Sequence, residues 1–311
     1  MTEKKILRMQ IKIEASPERV FEALTSTDAL KTWFAEQADI SLADNRYQFW
    51  GKFTPGNPDR EGGNQQLVAF EAGKHLQYKW AYLDVETTVT FKLRKRGTDS
   101  TILTLHQNKV NVGKHHYAYF TAEDFWFLCL ENLRRYIDGK TAKARVDFSQ
   151  SLTGNIHHET EIDASADTVF DVLINPKQLD RWIATKADVE PKQGGKFDLG
   201  WAGVPAFRIL EITHGVSLSY EWPEDDGGGE LVASVVTWTL KESNGKTRLT
   251  FVHSGFADDA ETDGIQAGWR NFVNWVQSIA EYGDTWEPPL VKLEADAIAY
   301  SASIIDGQDD L

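Results

Sequence analysis

The sequence predicts an α+β protein made of two tandem domains, and three observations carry that reading. The chain is written twice: Ile13-Glu14-Ala15-Ser16, Val20-Phe21 and Trp33 return as Ile162-Asp163-Ala164-Ser165, Val169-Phe170 and Trp182, each displaced by 149 positions. Within each copy, segments of strand periodicity outnumber helical ones. Each copy then closes on one long stretch of helical period. A displacement of this length exceeds the ~20–50 residues of a solenoid unit, so a whole domain is duplicated. The 311 residues suit two domains of ~100–200 residues each.

Each copy opens with a strand. Leu7, Met9, Ile11 and Ile13 alternate with Arg8, Gln10, Lys12 and Glu14, the pattern of a half-buried strand. A helix follows, because Ser16 is a good N-cap and Pro17 fits the first helical position, where its missing N–H costs nothing. Ser165 is the second copy's cap, with Asp167 in the first turn. A second short helix starts at Ser26, or at Asn175-Pro176, and ends near Trp33 or Trp182. Strands are expected at Tyr47 to Trp50, Leu67 to Glu71, Leu76 to Trp80, Thr87 to Leu93 and Thr101 to Gln107. The second copy gives Lys196 to Trp201, Ala206 to Ile212, Leu218 to Trp222, Ala233 to Leu240 and Thr247 to His253. The long helices span Phe125 to Ile137 and Trp269 to Ala280, with apolar stripes displaced by 143. The displacement changes in two places, around Thr54 to Arg60 and around Glu224 to Gly229, where Gly, Pro and Asp mark surface loops. The expected limits are a first domain over 1–140, a linker over 141–154, a second domain over 155–285 and a tail over 286–311. In the tail, Leu290, Leu293, Ile298 and Ile304 suggest a docked segment, with fraying from Asp306 to Leu311.

Charge narrows the function. Residues 1–145 hold 22 Lys and Arg against 18 Asp and Glu, a net +4, and residues 146–311 hold 11 against 29, a net −18. The acidic half argues against nucleic acid and against an anionic membrane surface. The single cysteine, Cys129, lies in an apolar helical stretch, where it reads as a small buried hydrophobe. No stretch resembles a signal peptide or a membrane span, so a soluble cytoplasmic protein is expected.

The order and spacing of these motifs resemble the SRPBCC superfamily, specifically homologues of the C-terminal domain of the heat-shock protein 90 ATPase activator. The residues that carry the resemblance are Ala15 to Leu24 and Trp33-Phe34 in the first copy. In the second they are Arg181-Trp182, Gly194-Gly195-Lys196-Phe197, Leu249 to Phe256, and Gly268-Trp269 at the last helix. The resemblance covers about nine tenths of the chain. It implies a helix-grip (START-like) fold in each domain, a bent antiparallel sheet wrapped around a long C-terminal helix, often with a cavity between them. The first copy departs from the pattern, with Asn45-Arg46 in place of Gly194-Gly195 and Gln107-Asn108-Lys109 in place of His253-Ser254-Gly255. A family pocket is therefore sought in the second copy.

Catalytic motifs are missing. There is no Gly-x-Ser-x-Gly elbow, phosphate loop or Rossmann glycine pattern. The pairs His115-His116 and His157-His158 are read as polar loops, and neither alone makes a metal site. No metal and no cofactor is expected. Aromatic residues remain, including 11 Trp. Trp33 and Trp182 are read as plugs closing the mouth of the sheet. The expected ligand contacts are Trp182, Trp222, Trp238, Phe251, His253 and Trp269, with His253 as the polar anchor at the end of an inward face. The leading function is non-enzymatic binding of a small apolar or aromatic ligand in the second domain. Two alternatives stand beside it. One is a protein-interaction or chaperone-partner module, although this chain shows no counterpart of the activator's N-terminal stimulating domain. The other is a cyclase- or hydrolase-like enzyme using the cavity.

Overall fold

A computed structural model describes residues 4–55, 59–83, 85–111, 116–225 and 231–293. The chain forms two compact units, residues 1–151 with 289–311, and residues 152–288.

In the first unit, β1 (Lys4–Ile13) leads into α1 (Pro17–Thr25) and α2 (Thr27–Trp33). Ser16 accepts a hydrogen bond from the Arg19 N–H at 3.3 Å, so the cap read from sequence is formed. A hairpin of β2 (Gln37–Ser41) and β3 (Arg46–Trp50) follows. Then come β4 (Gln66–Glu71), β5 (His75–Tyr82), β6 (Val85–Arg96), β7 (Ser100–Asn111) and the long helix α3 (His116–Ile137). Helix α3 begins nine residues before the apolar stripe at Phe125. The turn 97–99 between β6 and β7 carries Gly97 at φ 65°, a conformation that favours glycine.

The second unit repeats the plan. It holds β8 (Ile156–Ile162), α4 (Ala166–Ile174), α5 (Pro176–Leu179), β9 (Asp188–Val189), β10 (Lys196–Asp198), β11 (Phe207–Thr213), β12 (Ser217–Asp225), β13 (Leu231–Ser243), β14 (Lys246–Ser254) and α6 (Asp263–Tyr282). Its sheet runs β8-β14-β13-β12-β11-β10-β9, antiparallel throughout. Strand β10 ends at Asp198 rather than at Trp201, because Gly200 at φ 69° turns the chain away and its N–H is held by Asp198. The pair His157-His158 is not a loop. It lies in β8, where the two-residue period turns His157 to solvent and buries His158 at 5% exposure. His115 lies outside the described residues, and His116 opens α3.

Two segments behave differently from simple connectors. The stretch 139–151 is tied to the first unit. Asn132 and Arg135 donate to the carbonyls of Ala144 and Thr141, Arg145 donates to the carbonyl of Ala35 at 3.1 Å, and the Phe148 N–H reaches the Lys52 carbonyl. The Arg145 guanidinium also lies 4.1 Å from the centre of the Phe53 ring. From the tail, β15 (Leu290–Leu293) pairs antiparallel with β1, so the first sheet runs β15-β1-β7-β6-β5-β4. Leu290 and Leu293 therefore do belong to a docked segment; Ile298, Ile304 and residues 306–311 lie outside the described residues.

Strand β15 covers the edge that β1 would otherwise expose. Truncation before Pro289 is expected to lower the stability of the first unit by about 1–3 kcal/mol, the net worth of a few ladder hydrogen bonds. Thermal unfolding followed by resonances of each unit reads this out. An equal loss in both units would contradict it.

Candidate functional site

The face of the second sheet turned toward α6 is built by strand alternation. Tyr220 and Trp222 come from β12, Val236 and Trp238 from β13, and Leu249, Phe251 and His253 from β14. Trp269 projects from the second turn of α6. All six residues singled out from sequence are buried: Trp182, Trp222, Trp238, Phe251, His253 and Trp269 are each 9% exposed or less. They meet one another ring to ring. Centroid distances are 4.8 Å for Trp222–Trp269, 4.6 Å for Trp238–Phe251, 4.5 Å for Phe251–Trp269 and 6.0 Å for Trp182–Trp238. At this level the space between sheet and helix is occupied by the protein's own rings. Trp182 also spends its polar handle internally, donating to the Val172 carbonyl at 3.2 Å. Trp33 does the same with the carbonyl of Ala23, the position equivalent to Val172.

His253 is the centre of a hydrogen-bonded relay. The Trp269 indole N–H donates to His253 Nδ1 at 3.0 Å, and His253 Nε2 lies 2.7 Å from Ser234 Oγ. Ser234 in turn donates to the Trp222 carbonyl. An indole nitrogen can only donate, so Nδ1 is the lone-pair nitrogen and Nε2 carries the proton. The imidazole is thereby held neutral, with both nitrogens engaged inside the fold. Burial pushes its pKa down to about 4. The first unit contains the same relay in other residue types. Trp126 donates to Gln107 Oε1 at 2.7 Å, Gln107 Nε2 donates to Thr87 Oγ1 at 3.1 Å, and Thr87 donates to the Trp80 carbonyl at 2.9 Å. Gln107 and His253 are both 0% exposed. An amide presents the same acceptor-then-donor pair as this imidazole tautomer, so the two side chains serve one role.

That chemistry bears on the enzyme reading. Ser234 and His253 form a serine–histidine pair, but the histidine donates to the hydroxyl, whereas a general base must accept its proton. The pair as built does not activate a nucleophile. Cys129 is buried in α3 and burial raises its thiol pKa well above the usual range, which suits a packed hydrophobe. Among the described residues, no group of three or more His, Cys, Asp or Glu side chains is arranged to hold a metal ion, and no helix is long and apolar enough to cross a membrane.

A second buried histidine was missed as a special position. His158 Nε2 donates to the Gln266 carbonyl at 3.1 Å, and the ring stacks on Phe251 at 5.9 Å. Burial, with a contribution from the Arg270 guanidinium, pushes its pKa down to about 3. The alternation of β8 was its available signal. Ser234 and Thr87 were also missed; their signal was the displacement of 147 that links them, the same as that linking Val89 and Val236.

This fold and this doubled core match a known family. The family model for "Activator of Hsp90 ATPase homolog 1-like protein" matches residues 14–138 and again residues 163–281, well over half of the chain. The chain belongs to this family, as two tandem domains of the SRPBCC, helix-grip class. Among solved structures, protein MLL2253 of Mesorhizobium loti is 24% identical over 42% of this chain and 98% of its own, with a TM-score of 0.37. An Hsp90 activator from Plasmodium falciparum is 21% identical over 40% of this chain and 95% of its own, with a TM-score of 0.35. DynU16, from a dynemicin biosynthetic locus, is 17% identical over 89% of this chain and 98% of its own, with a TM-score of 0.36. No curated protein matches the chain significantly.

The relay generates two predictions. His253→Gln copies the first unit's arrangement and should keep the second unit folded, within about 1 kcal/mol at pH 7.5, whereas His253→Ala should cost about 2–4 kcal/mol; urea unfolding measures both. The second concerns acid. His253 and His158 have folded pKa values near 4 and 3, below the unfolded value of ~6.5, so the unfolded chain binds more protons in that window. Stability of the second unit should be full above pH 6.5 and fall as pH drops toward 3, by on the order of 3 kcal/mol per histidine. The first unit has Met9 and Gln107 at these places and should lack this limb. His253→Gln should roughly halve the slope between about pH 6.5 and 4 and leave the His158 contribution; an unchanged acid profile in that variant would refute the assignment.

Proposed function

We propose that the chain is a non-catalytic binding protein that works through protein contacts, in the manner of a chaperone partner. The observation that supports this best is the ring-to-ring packing among the described residues between sheet and long helix. The same relay recurs in each unit, and the one polar group expected to orient a ligand, His253, has both ring nitrogens engaged. A core finished in this way leaves the surface as the working part. The family description points to an Hsp90-type chaperone ATPase as the partner. The test is titration of purified Hsp90 with the protein by isothermal calorimetry, with ATPase turnover followed in parallel. Saturable binding is expected; no heat and no change in turnover at tens of micromolar would refute the chaperone assignment.

A second reading keeps the small apolar or aromatic ligand, held by Trp182, Trp222, Trp238, Phe251, His253 and Trp269. It is favoured by one feature of the second unit. Trp222, at 9% exposure, is the least buried of the six and carries a further aromatic neighbour, the half-buried Trp201 at 5.5 Å. A ligand would enter by displacing Trp222 and would take over the Ser234 or His253 hydrogen bonds. Native mass spectrometry of the purified protein distinguishes the readings. A stoichiometric small molecule retained by the native protein and lost in Trp222→Ala supports the second reading; the bare polypeptide mass supports the first.

A further inference from the structure

The two copies differ at one groove, and the difference names a ligand chemistry. In the first unit an arginine side chain lies across the junction between α1 and the end of α3. The Arg19 guanidinium lies 5.8 Å from the centre of the Tyr136 ring and donates to Glu22 Oε2 at 2.9 Å. Displacements of 149 along the first helix and 143 along the last carry these residues to Thr168, Ile279 and Asp171 in the second unit. The acid is kept and the apolar floor is kept, but the arginine is gone. What remains is an open groove of about 360 Å³ between α4, α5 and the end of α6, with Thr168, Asp171, Ile279 and Ala280 in its lining. Asp167, the counterpart of Glu18, adds a second carboxylate to the same lining.

We propose that this groove docks an arginine side chain from a partner protein, supplying in trans the guanidinium that the first unit supplies from Arg19. Two features favour a cation with an apolar stem. The carboxylates of Asp167 and Asp171 stand one helical turn apart on α4 and lie at the groove. The floor of Ile279 and Ala280 suits the three methylenes of an arginine stem. The second unit as a whole holds 10 Lys and Arg against 23 Asp and Glu over residues 152–288, a net −13 that steers cationic partners. Neighbouring polar groups leave this open. Asn175 takes one Asp171 oxygen at 3.0 Å, and His214 lies 3.4 Å from Asp167. The chain's own Arg181 donates to the Gly283 and Trp286 carbonyls and to Gln178 Oε1, and so already meets two residues of the lining, but none of its hydrogen bonds goes to Asp167 or Asp171. The groove rests on the interaction reading only for the partner being a protein; its chemistry is tested without a chaperone.

The test is a ¹H–¹⁵N titration of the full chain with acetyl-Gly-Arg-Gly-amide and with its citrulline analogue, which has the same shape without the charge. The arginine peptide should shift the amides of Thr168, Ala280 and Gly283 and approach saturation at about millimolar concentration, as expected for one exposed ion pair with a small apolar contact. The citrulline peptide should leave them in place, and added salt should weaken the effect. Asp171→Asn should lower affinity several-fold. Thr168→Arg, at an exposed helix position, rebuilds the first unit's arrangement and should lower it at least tenfold by filling the groove from within. Equal shifts from the citrulline peptide, no shifts at those amides, or full binding by Thr168→Arg would each overturn the proposal. A peptide that binds as expected while Hsp90 does not would leave the groove standing and remove only the chaperone.

Discussion

A tryptophan on the long helix of each unit is buried against the sheet, and its N–H must find an acceptor there. An unpaired buried donor costs about 1–3 kcal/mol, so the acceptor constrains everything near it. Gln107 and His253 meet that need, and each then requires an acceptor of its own. Thr87 and Ser234 provide it and pass the chain of donors to a strand carbonyl, that of Trp80 or Trp222. The relay binds three strands and the helix into one unit. It also orients the Trp269 ring, against which Trp222, Trp238 and Phe251 pack.

This arrangement explains which parts of the molecule were legible in the sequence. Element order could be read because caps and alternation are local: Ser16 and Ser165 cap their helices, and the strands follow the period of two. The duplication strengthened these assignments, since each copy was a check on the other. Strands β2 and β9 were not found, because Gln37–Ser41 has no fully buried face and Asp188–Val189 is two residues long. The tail's strand was beyond local reasoning in its pairing, since the partner of Leu290–Leu293 lies at the opposite end of the chain.

The candidate site shows a different kind of limit. Trp222, Trp238, Phe251 and His253 lie on one inward face of the sheet, because inwardness follows from periodicity, and Trp269 and Trp182 meet them from the long helix and from beside the short one. What periodicity does not encode is whether inward rings leave a space or close it. That depends on ring-to-ring distances, set by the sheet's curvature and by Trp182 coming in from the short helix. The role of His253 was undetermined for a related reason. A histidine on an apolar face is an anchor or a structural link according to what stands at its two nitrogens, and Ser234 and Trp269 are 19 and 16 residues away in sequence. The duplicate held a hint, because Gln107 occupies the matching place and cannot titrate.

Duplication also separates what the fold requires from what each copy has acquired. The relay, the indole hydrogen bonds of Trp33 and Trp182 and the caps recur in both units, so they belong to the fold. The groove at Thr168, the two buried histidines and the net −13 belong to the second unit alone. The buried histidines are not needed to close the core, since the first unit closes its own with Met9 and Gln107 at the same positions. Features that a homologous core dispenses with carry no folding burden in common. In the second unit they gather on the acidic surface and along β8 and β14, and it is there that the two domains, alike in architecture, part in chemistry.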